Sequence, residues 1–172
     1  MLPIRIRVGG NRRLFESIHV LEDRMGKKIS LLSKILLSDT GVLEDKLYII
    51  LNSIPSIQVI EQTESNQLIS RRAYVIDAKS KRRLVYAISQ IHVDSLPSRV
   101  IDQIRNKRPG LGRILMDSQM ELRKEIVTLG YDCGKQRLFR CYNIYNKKHA
   151  AIEVKEVILI TDEELKSAAI WE

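Results

Sequence analysis

The chain lacks several features on which whole classes of protein depend. Aromatic residues make up only 5% of its 172 residues and are not interleaved with a basic run, so a platform for stacking nucleic-acid bases is poorly supported. Cys133 and Cys141 lack metal-ligand spacing, and two cysteines cannot build the disulfide framework of a small secreted domain. The three histidines lie far apart. The sequence therefore predicts no metal site.

Long apolar segments are missing too. No run approaches the roughly 20 residues that a membrane-spanning helix needs, and residues 1–10 contain no apolar signal-peptide core. We therefore expect a cytoplasmic protein that is not inserted in a membrane. Positive charge is in excess, since 29 Lys and Arg against 21 Asp and Glu give a net charge of +8. That charge favours an anionic partner, which is nucleic acid, a membrane surface or a small polyanionic metabolite.

Residues 151–160 (AIEVKEVILI) contain the most informative single position. Their side chains alternate with the period of a β-strand, which places Glu156 in a row of aliphatic residues that includes Val154 and Ile158. Burying an ionised carboxylate is costly unless it is paired or hydrogen-bonded. Glu156 is thus either part of a structural ion pair or a group that lines a functional site. On an apolar face, desolvation raises the pKa of a carboxylate, which suits proton transfer near neutral pH.

The order of the remaining patterns predicts the fold class. Helical periodicity is seen over residues 12–25, 30–37, 42–51 and 99–107, and strand-like alternation over residues 57–63, 68–77, 83–93, 119–131, 136–146 and 151–160. Residues 1–10 are either a short strand or a loose arm. Thr161 followed by Glu164 is a capping-box signature, which predicts a last helix over residues 162–169. We expect one α+β domain with an antiparallel sheet of about six strands and helices covering one face.

Two further segments contain candidate binding groups. Arg71 and Arg72 are adjacent in a strand, so one of them faces the covered side of the sheet, where its guanidinium would suit a carboxylate. The periodicity leaves the choice between these two arginines open. Residues 110–113 (GLGR) have glycines that would let the backbone approach an anion. The alternative for this segment is a tight turn before a short helix.

These segments together resemble the chorismate pyruvate-lyase family. The motifs that match in order and spacing are residues 36–43 (LLSDTGVL), 71–76 (RRAYVI), 84–89 (LVYAIS), 109–115 (PGLGRIL), 121–123 (ELR) with Gly130, and 155–159 (KEVIL). The resemblance covers residues 30–160. It leaves residues 1–29 as an N-terminal extension that contains a helix, and residues 161–172 as a C-terminal helix of the same domain.

The resemblance implies an activity and a set of site residues. Members of the family eliminate pyruvate from chorismate and leave 4-hydroxybenzoate, with no metal or organic cofactor, inside an antiparallel sheet covered by helices. By the same resemblance, Arg72 binds the ring carboxylate and the backbone N–H of Leu111 donates to it. Glu156 lies at the opposite end of the ring, and Val42 completes the site. Arg71 competes with Arg72 for the carboxylate.

The expected ligand is therefore a small anionic cyclic carboxylate such as chorismate, rather than nucleic acid or a membrane. An alternative is a domain that binds an anionic metabolite without turnover, similar to the effector-sensing domains of certain bacterial transcription regulators. A basic RNA-binding domain is a third interpretation, which the low aromatic content disfavours. The oligomeric state is not predicted.

Overall fold

The chain forms three helices near its start and most of its sheet afterwards. The computed structural model describes residues 2–9, 14–107, 110–161 and 163–165. The helices are α1 (Leu14–Met25), α2 (Leu31–Ser38), α3 (Leu43–Leu51), α4 (Ser98–Arg105) and α5 (Leu111–Asp117), with a 3-10 turn at Val93–Ser95. The strands are β1 (Ile4–Arg7), β2 (Pro55–Ser65), β3 (Leu68–Asp77), β4 (Arg83–His92), β5 (Leu122–Asp132), β6 (Arg137–Asn146) and β7 (His149–Ile158). The predicted α+β class is confirmed.

The strands form one sheet in the order β1-β5-β6-β7-β4-β3-β2, and every pair is antiparallel. The described residues supply seven strands, whereas the sequence predicted about six. The additional strand is β1, which the sequence left as either a strand or a loose arm. Ile4 pairs with Tyr131 and Arg7 with Thr128, and the side chain of Ile6 is buried. Pairing with the edge of β5 therefore shows that Ile4–Arg7 form a strand. The sequence alone left this open.

The hairpin between β2 and β3 explains why β2 is longer than predicted. Asn66 and Gln67 adopt φ values of 49° and 62°. Two consecutive positive φ values form the tight turn whose twist matches that of two paired strands. Ser65 and Leu68 therefore pair directly across the turn, and the strand predicted over residues 57–63 extends to Ser65. At its other end the strand begins at Pro55, which pairs with Asp77.

The core lies between the helices and one face of the sheet. Alternate residues of β7, including Ile152, Val154 and Ile158, join the same apolar cluster as Leu36 of α2 and Leu47 of α3. Each fully buried side chain of this size contributes about 1.5–3 kcal/mol of hydrophobic stabilisation. Across the described ranges, no helix combines the length and apolar character needed to cross a membrane.

The turn between α2 and α3 falls where the sequence predicted a break. Ser30 caps α2 by accepting a hydrogen bond from the backbone N–H of Ser33 at 3.2 Å. Asp39 ends the helix, and its side chain accepts a hydrogen bond from the backbone N–H of Gly41 at 3.1 Å. Helix α3 then starts after Val42. This turn lies over the inner face of the sheet and forms one wall of the cavity described below.

The predicted capping box at the end of the chain is also present. The Thr161 hydroxyl accepts from the backbone N–H of Glu164 at 3.3 Å, and the Glu164 carboxylate accepts from the backbone N–H of Thr161 at 2.7 Å. Residues 163–165 are helical. The rest of the helix predicted over residues 162–169 lies outside the described residues.

Candidate functional site

A cavity of about 290 Å³ lies between the inner face of the sheet, the α2–α3 turn and helix α5. This volume is close to the lower end of the range for small-molecule sites, about 300–1,000 Å³. A single six-membered ring with short substituents is a ligand of the right size.

Small side chains on neighbouring strands create this volume. Ala73 of β3 pairs with Ala87 of β4, and Ala87 pairs in turn with Glu156 of β7. All three residues line the cavity, together with Ser89 of β4. Elsewhere on the same face the strands carry Val and Ile, which fill the space beneath the helices. The cavity is therefore encoded by the short side chains at the centre of the sheet.

Glu156 belongs both to a buried ion pair and to the cavity wall. Its side chain is only 8% exposed, and Nε and Nη2 of Arg140 each lie 2.7 Å from its Oε2. The hydroxyl of Tyr142 donates to its Oε1 at 2.7 Å. Glu156 and Arg140 face each other directly across strands β7 and β6. The two interpretations of Glu156 from the sequence are thus combined, because the ion-paired carboxylate also lines the cavity.

Arg140 links the sheet to the turn above it. Its Nη1 donates to the backbone carbonyls of Leu36 and Asp39, each at 2.6 Å. These carbonyls belong to the C-terminal end of α2, where a cation is favourable because the last carbonyls of a helix lack partners within it. Sequence reasoning did not single out Arg140. Its alternation with Tyr142 and Ile144, which are buried on the inner face, was the signal that could have found it.

Tyr142 and Lys124 complete the polar group around Glu156. Burial, with the charge of Glu156, raises the pKa of Tyr142 well above its usual value, so the phenol remains a donor. Lys124 Nζ lies 4.0 Å from the centroid of the Tyr142 ring and donates to the Gly41 carbonyl at 3.2 Å. Burial, and then the charge of Arg140, lower the pKa of Lys124 from 10.5 to about 8. Sequence reasoning also missed Lys124. The available signal was the period-two pattern of Leu122, Lys124 and Ile126, which puts these three side chains on one face of β5.

Of the two adjacent arginines, the structure brings Arg71 to the cavity. Arg71 is 3% exposed and lines the cavity wall. The side chain of Arg72 points to the other face, is 56% exposed and contacts Glu61 at 2.9 Å. The matching residue suggested by the family resemblance, Arg72, therefore lies away from the other candidate residues. Burial lowers the pKa of Arg71, and the nearby charge of Glu44 opposes this shift.

Glu44 is a cavity residue that the sequence did not reveal. Acidic residues are common in the first turn of a helix, and Glu44 occupies that position in α3. Burial raises its pKa, and the charge of Glu156 adds to this effect. A Cβ atom at Gly110 would lie 2.2 Å from Glu44 Oε1. The Glu44 carboxylate therefore lies directly against the Gly110 backbone.

The remaining predicted residues lie around the same space. Val42, Leu111 and Gly112 line the cavity, and Gly110 is the residue before α5. Arg113 faces outward and contacts Asp45 at 3.1 Å. Pro109 and Arg108 are outside the described residues.

The chain matches no family model and no curated protein at a significant level. Within the described residues, no three His, Cys, Asp or Glu side chains are grouped so that they could hold a metal ion. The cavity combines apolar walls with two cations, Arg71 and Lys124, and two carboxylates, Glu44 and Glu156. This arrangement is suited to a small organic anion and to proton transfer.

Proposed function

We propose that this protein is a chorismate lyase-like enzyme, with the corresponding fold, that eliminates pyruvate from chorismate to give 4-hydroxybenzoate without a cofactor. The observation that carries the proposal is the partly open cavity, in which Arg71 and Glu156 both line a space large enough for one ring. Chorismate is a dianion, and the chain has a net charge of +8. The order of elements also supports the proposal. Helices α1, α2 and α3 are followed by an antiparallel sheet that is interrupted by α4 and α5, which fits the helix-covered antiparallel sheet that the family resemblance implies.

Ligand orientation follows from the position of the two charged groups. Arg71 would bind the ring carboxylate, because a buried guanidinium makes strong charge-assisted hydrogen bonds with a carboxylate. The backbone N–H of Leu111 is the second contact that the resemblance assigns. Glu44 lies beside this end of the cavity. Burial raises the pKa of Glu44, which reduces the repulsion between this carboxyl group and the ligand carboxylate.

The opposite end of the ring would lie against Glu156. Each carboxylate oxygen can accept more than one hydrogen bond, so Glu156 can still accept from a ring hydroxyl while it is held by Arg140 and Tyr142. The fixed network pre-organises this acceptor and requires no rearrangement during reaction.

The reaction itself asks little of the protein beyond orientation. The ring C–O bond to the enolpyruvyl group breaks, and the hydrogen on the neighbouring hydroxyl-bearing carbon is lost as a proton. The departing enolate gains a proton at its methylene carbon and becomes pyruvate, while the ring becomes aromatic. Neither water nor a redox partner is consumed. Holding the ring and the departing group in one conformation lowers the entropic part of the barrier.

One observation favours a second candidate, a domain that binds an anionic metabolite without turnover. Both oxygens of Glu156 are already engaged, Oε2 by Arg140 and Oε1 by Tyr142. A carboxylate held in this way can act as a fixed hydrogen-bond acceptor for a ligand without carrying a proton. The same cavity would then recognise a cyclic carboxylate and release it unchanged.

The test is incubation of purified protein with chorismate, followed by chromatographic measurement of 4-hydroxybenzoate and pyruvate. Equimolar products, formed far faster than in buffer, are expected. Glu156→Gln should lower the rate strongly. Glu153→Gln, at an exposed position on the same strand, is the matched control and should leave it unchanged. Stoichiometric binding with chorismate recovered intact would favour the second candidate, and neither binding nor product would reject both.

A further inference from the structure

Lys124 brings a second cation into the cavity, at a distance from Arg71 along the sheet. Lys124 is on β5 and Arg71 on β3, and strands β6, β7 and β4 lie between them. Both side chains line the same cavity. The two positive groups therefore reach the ligand space from strands that are not neighbours in the sheet.

The ammonium group of Lys124 is incompletely satisfied by the protein. It has three N–H donors, and within the described part of the chain its one hydrogen-bond acceptor is the Gly41 carbonyl at 3.2 Å. It also lies 4.0 Å from the centroid of the Tyr142 ring, a favourable cation–π distance. None of the described carboxylates is close enough to form an ion pair with it. Donors thus remain for a partner inside the cavity.

The surrounding charges act on Lys124 from four neighbouring elements. Arg140 on β6 disfavours its charged form, whereas Glu156 on β7, Asp39 at the end of α2 and Glu44 on α3 favour it. Burial is the largest influence and disfavours the charge. Partial desolvation of an ammonium is costly, and a ligand carboxylate beside it would offset this cost.

We propose that Lys124 forms a subsite for a second carboxylate, so that the cavity selects cyclic dicarboxylates over monocarboxylates. This inference rests on the proposed function, because it takes the orientation with the ring carboxylate at Arg71 and the ring hydroxyl at Glu156. In chorismate the enolpyruvyl ether is attached to the carbon next to the hydroxyl-bearing one. Its carboxylate is then on the side of the ring near Glu156, where Lys124 is located.

The experiment compares two stable probes by isothermal titration calorimetry. The monocarboxylate probe is 4-hydroxybenzoate, and the dicarboxylate probe is 3-(carboxymethoxy)-4-hydroxybenzoate, which adds one ether-linked carboxylate next to the hydroxyl. Wild-type protein should bind the dicarboxylate at least about tenfold more tightly, as expected for one charge-assisted hydrogen bond of about 1.5–3 kcal/mol.

Lys124→Met should remove this preference, so that the variant binds the two probes with affinities within about twofold of each other. Lys155→Met is the matched control, because Lys155 lies on the same sheet but outside the cavity, 4.8 Å from the Phe139 ring centroid. It should keep the wild-type preference. Equal loss of affinity for both probes in Lys124→Met would overturn the subsite.

A second measurement needs no variant and covers the case in which Lys124→Met does not fold. Titrations at pH 8 in two buffers with different ionisation enthalpies report proton uptake. The dicarboxylate should draw a fraction of a proton onto the wild-type protein, because its charge favours the protonated lysine, and the monocarboxylate should draw less. Equal uptake for both probes would contradict the proposal.

The subsite and the lyase activity can fail separately. Dicarboxylate preference without conversion of chorismate would leave the subsite standing and reject the lyase. Conversion of chorismate without any dicarboxylate preference would keep the lyase and reject the subsite. If the wild-type protein binds neither probe, the subsite is rejected whatever the activity assay shows.

Discussion

Two buried carboxylates, Glu22 and Glu156, have the same degree of burial and different surroundings. Glu22 is 2% exposed and Glu156 is 6% exposed. Glu22 accepts from the backbone N–H of Ile29 at 2.8 Å and contacts Lys34 at 2.7 Å. Glu156 accepts from Arg140 and Tyr142 and also faces a cavity. Burial and pairing alone therefore do not identify a functional carboxylate. What distinguishes Glu156 is the empty volume beside it, which the cations Arg71 and Lys124 also line.

The largest effect is expected when the cavity carboxylate is removed. Glu156→Ala leaves the buried guanidinium of Arg140 without its counter-ion, and breaking a buried ion pair in this way costs about 3–5 kcal/mol. Urea denaturation should show this loss, with ligand binding lost as well. Replacing both partners together, as in Glu156→Gln with Arg140→Met, should recover part of the stability and none of the binding. A single variant as stable as the wild type would show that the ion pair contributes little.

Removing the other carboxylate should affect stability alone. Burial by itself raises the pKa of Glu22, but the hydrogen bonds from Lys34 and from the Ile29 N–H outweigh it and lower the pKa from 4.5 to about 2. At about 1.4 kcal/mol per pKa unit, the shift corresponds to about 3 kcal/mol at neutral pH. Glu22→Gln should lower the unfolding free energy by about that amount and leave 4-hydroxybenzoate binding unchanged.

The pH dependence of the unfolding free energy is a second test of the role of Glu22. Because its folded pKa is below its unfolded pKa, the stabilisation is present above pH 4.5 and is lost as the pH falls through about 2. Urea denaturation of wild type and Glu22→Gln should give stability curves that converge over this window. A constant difference between the two curves would contradict the assignment.

Filling the cavity should separate binding from folding. Ala87 lies on the cavity floor, between Ala73 and Glu156. A larger side chain at this position would occupy the volume in which we propose that the ligand binds. Ala87→Ile should weaken 4-hydroxybenzoate binding at least about tenfold and change the unfolding free energy by less than about 1.5 kcal/mol. Ile88→Val, the adjacent position on the outer face, is the control and should bind normally. Wild-type affinity in Ala87→Ile would place the ligand elsewhere.

The smallest effect is expected on the outer face of the sheet. Arg72 and Glu61 form an ion pair at 2.9 Å in which both side chains are more than half exposed. Exposed pairs of this kind contribute about 0–1 kcal/mol and are screened by salt. Arg72→Ala should therefore change the urea midpoint only slightly, and not at all at high salt. A loss above about 2 kcal/mol would mean that the pair is not the simple surface contact described above.

Local pattern was sufficient for much of the fold. Alternation over residues 151–160 correctly placed Glu156 on the covered face, and the break at residues 39–41 correctly separated α2 from α3. The status of β1 depended on pairing with β5, which four residues of sequence cannot reveal. The length of β2 depended on the turn at Asn66 and Gln67.

The candidate site was less accessible from sequence, because its members meet through pairing across the sheet and packing of helices on it. Period-two alternation cannot say which face of β3 is covered, and so Arg71 and Arg72 remained equivalent until the sheet was assembled. Arg140 alternates with Tyr142 and Ile144 in the sequence, but only the assembled sheet places it opposite Glu156. Glu44 reads as an ordinary first-turn acid, and its contact with Gly110 depends on how α3 lies against α5.

The central claim is that the cavity between Arg71 and Glu156 binds a cyclic carboxylate. Calorimetric titration of 4-hydroxybenzoate into wild type, Arg71→Met and Arg72→Met tests it most directly, since the two arginines are adjacent and lie on opposite faces. We expect saturable binding to the wild type, at least about tenfold weaker binding to Arg71→Met, and unchanged binding to Arg72→Met. Equal affinities of the two variants, or no binding to the wild-type protein, would contradict the claim.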